Sequence, residues 1–374
     1  MEQFDRRKWL KTAGLAGAMT FFGGVSLEAK SRSWDKYEKE WLPGELVRLS
    51  SNENPYGPSQ RVREAMIRSF DQVCRYPRMY YDELTAKIAQ REGVSKDHIL
   101  LTSGSTEGLK VAGLTYGAGN GEIIAADPTF QSLMSYAAQF GSFIHRVPLD
   151  QNLQHDLDAM AGRINSNTRL MFICNPNNPT GTLLPAADLQ RFIEEVSDKT
   201  MVFSDEAYYD YIEEPGYPSM VSFVKEGANV IVSRTFSKVY GLAGIRVGYL
   251  IARPDVIRRL SANLVSYINV SALAAASAAL DETEFYQFSL EKNRVCKQKI
   301  YQALDQLGLK YQPSHANFVF FDTGRSIQSF TAAMEKAGVE VGRAFPPFNT
   351  WCRISTGLES EVDAFVVALK QMMG

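Results

Sequence analysis

Cysteine and histidine are scarce in this chain, four of each among 374 residues, and neither is arranged for chemistry. Cys74, Cys174, Cys296 and Cys352 form no Cys-x-x-Cys pair, and His98, His145, His155 and His315 show no ligand spacing. The pattern argues against a structural zinc site and for buried or satisfied side chains. An excess of one charge is missing too. Forty Lys and Arg face 42 Asp and Glu, for a net charge of -2. That balance offers no basic surface for nucleic acid and no acidic tail for a basic partner, and it points to a small-molecule substrate. Internal repeats and low-complexity segments are absent. The apolar run from Thr12 to Val25 is too short to span a bilayer comfortably.

That short run has a suggestive setting. Arg6, Arg7, Lys8 and Lys11 precede it, and Asp5-Arg6-Arg7-Lys8-Trp9-Leu10-Lys11 resembles a twin-arginine export signal. Gly14, Gly17, Gly23 and Gly24 keep the run mildly hydrophobic, which fits that route. Residues 1–29 are therefore expected to be a signal segment, with the mature protein periplasmic or otherwise exported and the membrane touched only during export. The alternative is a basic leader helix that stays attached, or an uncleaved anchor, on a cytoplasmic enzyme.

Residues 30–70 read as an N-terminal arm and loop. From about residue 70 apolar strands alternate with amphipathic helices, which defines an α/β fold with a mostly parallel sheet covered on both faces. Strand-like runs stand at Ile123–Ala126, Leu170–Cys174, Met201–Ser204, Val230–Ser233 and Val247–Ala252. Pro185 and Pro254 each open a helix. After about residue 270 the pattern changes to a long helix through Leu290–Leu307, strands at Phe318–Phe321 and near Arg353–Ser355, and a closing helix from Glu359 to Met373. The expected division is a larger domain over 71–265 and a smaller α+β domain over 266–374.

The motifs with chemical content follow the strands. Ser233-Arg234-Thr235-Phe236-Ser237-Lys238 places an ammonium group just past a buried strand, where burial favours the neutral amine that a Schiff-base nucleophile needs. Thr235, Ser237 and Arg246 could satisfy a phosphate. Asn175-Pro176-Asn177-Asn178-Pro179-Thr180-Gly181 fixes a rigid loop at the carboxyl edge of the sheet, where open α/β folds hold ligands. Asp205, at the end of a buried strand, needs a partner, and a pyridinium nitrogen is one.

With Asn178, Asp205, Tyr208 and Lys238 in that order, the chain from about Leu49 onward resembles the class I/II aminotransferases of fold type I, in the histidinol-phosphate aminotransferase-like branch. The resemblance implies pyridoxal 5'-phosphate as cofactor, with Lys238 as its Schiff-base lysine and proton shuttle. Asp205 would keep the ring nitrogen protonated. Asn178 and Tyr208 would hold the phenolic oxygen. Thr235, Ser237 and Arg246, with the turn at Ser105 and Thr106, would hold the phosphate at a helix start. Phe130 would stack on the ring.

On the substrate side the resemblance assigns Arg353 to the α-carboxylate, Tyr56 to the substrate side chain and Arg343 to its outer pocket. Tyr76 would reach the cofactor phosphate of a neighbouring subunit, making the enzyme a homodimer. The implied reaction moves an amino group between an L-amino acid or amine and a 2-oxo acid. The donor is either histidinol-phosphate-like or, from the aromatic stretch Met79-Tyr80-Tyr81, an aromatic amino acid. Export would separate the enzyme from histidine synthesis in the cytoplasm and favours a different donor. A decarboxylase or lyase resembling threonine-phosphate decarboxylase is the nearest alternative on the same scaffold. A non-catalytic cofactor-binding regulator would need a DNA-binding domain, for which the chain before Leu49 is too short.

Overall fold

The computed structural model describes residues 46–373, so the leader and most of the arm lie outside the described residues. The strands, in chain order, are β1 (Val47–Arg48), β2 (Ile99–Thr102), β3 (Glu122–Asp127), β4 (Phe143–Pro148), β5 (Thr168–Cys174) and β6 (Met201–Asp205). They continue with β7 (Val230–Thr235), β8 (Gly248–Ile251), β9 (Tyr311–Gln312), β10 (Phe318–Asp322), β11 (Val339–Glu340) and β12 (Trp351–Ser355).

Seven of them form one sheet in the order β2-β8-β7-β6-β5-β3-β4. β8 alone runs against its neighbours, and every pairing among β3 to β7 is parallel. The central strands β5, β6 and β7 are buried along nearly their whole length. Such strands read as continuous apolar runs because helices cover both faces. The order reverses between β5 and β3, and at such a switch the loops leaving the carboxyl ends splay apart and open a crevice.

The covering helices follow from their sequences. Pro185 stands immediately before Ala186–Val196, which buries Leu189, Phe192, Ile193 and Val196 on one stripe. Pro254 is the first residue of Pro254–Ser261, which buries Val256, Ile257 and Leu260. The alanine-rich helix Val270–Ala279 is buried almost all round, and its Ala272, Leu273, Ala275 and Ala276 share the core of the larger sheet with Ile173, Val202 and Val232.

A second core lies under β12-β10-β9, an antiparallel three-stranded sheet, and the parallel pair β1-β11. The helices Thr283–Gln306 and Glu359–Met373 bring Cys296, Ile300, Val362 and Phe365 onto Val319, Phe321 and Ile354. The chain just after β1 belongs here as well, since Ser355 N donates to Leu49 O at 2.9 Å. Among the described residues no helix is long and apolar enough to cross a membrane.

Two edge strands, β2 and β4, were not foreseen. β2 is four residues long and buried throughout, and β4 exposes Phe143, Arg146 and Pro148 and buries only Val147. The apolar run of β2 is too short to be told from a buried helix segment, and β4 presents no apolar run.

Candidate active site

The carboxyl ends of the parallel strands converge on one cavity of about 920 Å³. Each side chain arrives there from the turn that its strand feeds. β2 leads through Gly104 into the helix Ser105–Gly117, whose first residues, Ser105 and Thr106, line the cavity. Gly104 has φ 78°, and a Cβ there would collide with the Arg246 guanidinium. Only glycine lets that arginine lie across the helix start. β3 feeds Thr129 and Phe130, β5 feeds Asn178, β6 ends in Asp205 with Tyr208 just beyond, and β7 leads to Ser237 and Lys238. Arg343 and Arg353 complete the wall from the smaller sheet's side.

Hydrogen bonds link Lys238, Tyr208, Asn178 and Arg353 around the cavity, with Arg353 Nε left without a hydrogen-bond partner. Lys238 Nζ donates to the Asn52 carbonyl at 2.9 Å and lies 5.5 Å from the centre of the Tyr208 ring. The Tyr208 hydroxyl accepts from Asn52 Nδ2 at 2.9 Å and from Asn178 Nδ2 at 3.2 Å. Arg353 Nη1 donates to Asn178 Oδ1 at 2.8 Å, and its Nη2 donates to the Ser50 carbonyl.

Burial sets the protonation. It pulls the Lys238 amine down to about 8, helped by Arg353 and opposed by Glu53, so a large share is neutral near pH 8. It pushes Asp205 up to about 7 against the Ala207 amide, which donates to the carboxylate at 3.3 Å. Burial also raises the Tyr208 phenol, with Arg353 and Asn52 opposing. An amine and a carboxyl group shifted in opposite directions toward neutrality within one crevice are typical of an acid–base site.

Not every expected residue faces this cavity. Tyr56 is 7% exposed and turned the other way. Its ring packs edge-on to Phe288 at 5.2 Å and its hydroxyl accepts from Glu359 N at 3.2 Å, so within this chain it anchors the arm. Thr235 does not line the cavity either, because its hydroxyl accepts from Ser237 N at 3.1 Å and shapes the turn before Lys238. Tyr76 is 87% exposed, outside the cavity, with Tyr267 at 6.1 Å.

Two features carry no clear signal in the sequence. Asn52, 1% exposed with φ 53°, joins the arm to Lys238 and Tyr208. Its only local signal is that Asn tolerates the left-handed region better than most residues. The other is a buried ion pair behind the site. Arg234 meets the Glu206 carboxylate at 2.7 Å, Ser219 Oγ and Met220 N donate to the same carboxylate at 2.8 Å, and Arg234 stacks on Tyr209 at 4.0 Å. Burial alone would lower the guanidinium's pKa, but Glu206, with Glu92 behind it, holds it above the usual arginine value.

Arg234→Met would strand that carboxylate in the interior. The expected loss is roughly 3–5 kcal/mol of unfolding free energy, with a smaller loss for the double variant Glu206→Gln/Arg234→Met. Urea midpoints of the cofactor-free proteins check this, and a double variant no better than Arg234→Met would show that the stranded charge is not the cause.

A mostly parallel sheet, a lysine with a lowered pKa, a carboxyl group buried at a strand end and an arginine across a helix start together define a class: α/β enzymes that hold a phosphorylated aldehyde cofactor through lysine. Residues 44–369 match the family model Aminotransferase class I and II, and the chain belongs to that family. It is 38% identical over 345 residues to a histidinol-phosphate aminotransferase of Moorella thermoacetica, covering 91% of this chain and 88% of that one. To the protein of that name from Geobacillus sp. it is 35% identical, covering 91% and 94%. A solved histidinol-phosphate aminotransferase from Sinorhizobium meliloti, in complex with pyridoxal-5'-phosphate, superposes with TM-score 0.81 at 25% identity, covering 93% of this chain and 98% of that one. The protein is a pyridoxal-phosphate-dependent aminotransferase of fold type I.

Proposed function

We propose that the amino donor is histidinol phosphate or a closely similar amine, and that the acceptor is a 2-oxo acid. The observation behind this is the gathering of Lys238, Asp205, Tyr208, Asn178 and Arg353 around one cavity whose outer wall holds Arg343. Relatives of that name over nine-tenths of the chain support the donor class.

The residues fit the cofactor group by group. Ser105 and Thr106 at an uncapped helix start, with Ser237 and Arg246, suit a phosphate. Asp205 suits a ring nitrogen, Tyr208 and Asn178 a phenolic oxygen, and Phe130 a ring face. Pyridoxal phosphate, when bound, supplies an aldehyde carbon and a ring that accepts electrons.

The protein's own groups do the rest. The Arg353 guanidinium takes the carboxylate of the 2-oxo acid acceptor, and of the amino acid formed from it, in place of its present acceptors and so fixes which face of that α-carbon meets Lys238. Lys238 Nζ removes the α-proton and later returns a proton, as a base whose pKa lies near the working pH. Asp205 holds the proton at the ring nitrogen, and Tyr208 holds the phenolic oxygen. Arg343 stacks on Phe345 at 4.4 Å, gives its Nη1 to the Ala344 carbonyl at 3.1 Å, and offers the rest of its fork to a distal phosphate in the outer cavity.

The working unit proposed is a homodimer. Ile67, Phe70, Val73, Tyr76, Met79 and Tyr267 are each more than half exposed. An apolar area of that kind favours burial against a second copy. Export of the folded enzyme is proposed from the arginine pair and the apolar run that follows it; an exported enzyme would act on the closely similar amine rather than on histidinol phosphate itself, which is used in the cytoplasm.

The deciding experiment offers histidinol phosphate, glutamate and aromatic amino acids singly to the enzyme with bound cofactor. The expected result is keto product and a changed absorption band with histidinol phosphate, with Arg343→Ala raising its KM about tenfold or more and leaving kcat nearly intact. Carbon dioxide released instead of keto product would install the decarboxylase reading. Conversion of aromatic donors alone would remove the phosphate from the substrate.

A further inference from the structure

Asn52 occupies a place that its position in an N-terminal arm does not require. The residue is 1% exposed and its backbone stands at φ 53°, a region that asparagine enters more readily than most residues and in which its neighbours constrain it here. The constraint is visible on both sides. Asn52 N donates to Ser355 Oγ at 2.8 Å, and Ser355 Oγ donates to Asn52 Oδ1 at 2.8 Å, so β12 grips the residue by main chain and side chain together. Asn52 turns its two remaining polar groups on the site. Its carbonyl accepts from Lys238 Nζ at 2.9 Å, and its Nδ2 donates to the Tyr208 hydroxyl at 2.9 Å.

We propose that Asn52 is a positioning residue for the transamination step. It holds the ε-amine of Lys238 whenever that amine is not bonded to cofactor, and it polarises the Tyr208 hydroxyl toward the cofactor's phenolic oxygen. This rests on the pyridoxal-phosphate reading of the site and goes beyond it, because it makes the arm a working part of the acid–base machinery.

Two physical arguments support it. An amine that must leave a covalent bond and then act as a base needs a nearby acceptor, and the Asn52 carbonyl is the acceptor Lys238 uses. A hydroxyl that accepts one hydrogen bond becomes a better donor in another. The contact from Asn52 therefore strengthens what Tyr208 can give to an oxygen anion, and it acts to lower the phenol's pKa against the burial that raises it. The left-handed backbone links the two roles, since it lets carbonyl and carboxamide aim at neighbours on different strand ends.

Asn52→Gly and Asn52→Ala separate the roles. Glycine keeps the φ without strain and loses only the carboxamide, whereas alanine loses it and also disfavours the backbone that presents the carbonyl. Three quantities are read: the dissociation constant of pyridoxal phosphate for the cofactor-free protein, the pH midpoint of the bound cofactor's visible band, and the rate at which Lys238 takes up the cofactor. Asn52→Gly is expected to weaken cofactor binding roughly tenfold, the loss of one useful hydrogen bond. It is also expected to move the band's midpoint up by roughly half a unit, because the phenolic oxygen loses support. Asn52→Ala should share these changes and also slow uptake by Lys238.

In a Tyr208→Phe background, Asn52→Gly should move the midpoint no further, since the effect passes through the hydroxyl. An additive shift there, or an unchanged affinity and midpoint in Asn52→Gly with only a lower melting temperature, would overturn the proposal and leave Asn52 a structural tie. If Asn52→Gly does not fold, Ser355→Ala, which loosens the same residue, must shift the midpoint in the same direction, and no shift overturns the proposal. Failure of the parent reading looks different: the wild type would show no visible band, or Lys238→Ala would retain it.

Discussion

Lys238→Ala is expected to lower transamination turnover by on the order of 10²- to 10⁴-fold, the usual contribution of a positioned general base, and to abolish the covalent attachment of cofactor. The fold should survive, because the lysine amine is held by a single backbone carbonyl, that of Asn52. Burial already disfavours its charge, so removing it costs the folded state little. The keto product formed per minute is the measurement, with circular dichroism as the control for folding. Turnover within tenfold of wild type would show that Lys238 is not the proton-moving group. The wild type should also show a signature in pH. With the amine at about 8, the neutral nucleophile grows as pH rises from 6 toward 8, so the rate of covalent cofactor uptake should climb over that range and level off above it.

Asp205→Asn is expected to separate stability from function. Asp205 is raised by burial from 3.8 to about 7, so the folded protein keeps a proton there that the unfolded chain gives up near pH 4. Between pH 4 and pH 7 the folded state thus binds more protons than the unfolded state, and stability conferred by this group falls as pH rises. The rise from 3.8 to about 7 sets a ceiling on the order of 4 kcal/mol for that loss, reduced in practice by relaxation. Asparagine fills the same space, still accepts from the Ala207 amide and never ionises. The cofactor-free variant should therefore be more stable than wild type at pH 7.5 and equal to it near pH 4, as read from urea midpoints. With cofactor the order should reverse, because a pyridinium cation gives the wild-type carboxylate its missing partner and the variant gains far less. A cofactor-free variant less stable than wild type at pH 7.5 would show that burial of the carboxylate is not what Asp205 imposes on the fold.

Much of the architecture was legible because the decisive signals are local. β5, β6 and β7 are apolar runs bounded by polar turns, and they appear where the sequence placed them, with the helices that open at Pro185 and Pro254. The turn that follows each strand brought Asn178, Asp205 and Lys238 to a common edge, since in a parallel sheet every carboxyl end lies on one side. β2 escaped because Ile99-Leu100-Leu101-Thr102 is too short a run to distinguish a strand from a buried helix segment, and β4 because a single buried side chain leaves no apolar pattern. The direction of Tyr56 escaped for a different reason. A loop tyrosine fits an active site or a core equally well, and the contacts that decided it, Phe288 and Glu359, lie more than two hundred residues away.

The sequence by itself determined the inner strands of the sheet, the order of the chemical residues along its carboxyl edge and the family they belong to, because strand periodicity and turn chemistry act over a few neighbouring residues. Only the tertiary structure decided that Asn52 touches Lys238 and Tyr208, that Arg234 is locked to Glu206 behind the site, that Thr235 shapes a turn and that Tyr56 anchors the arm. Those outcomes depend on which distant surfaces exclude water together. Burial, the largest influence moving Lys238 and Asp205 toward neutrality, is a property of the assembled fold and of no segment within it.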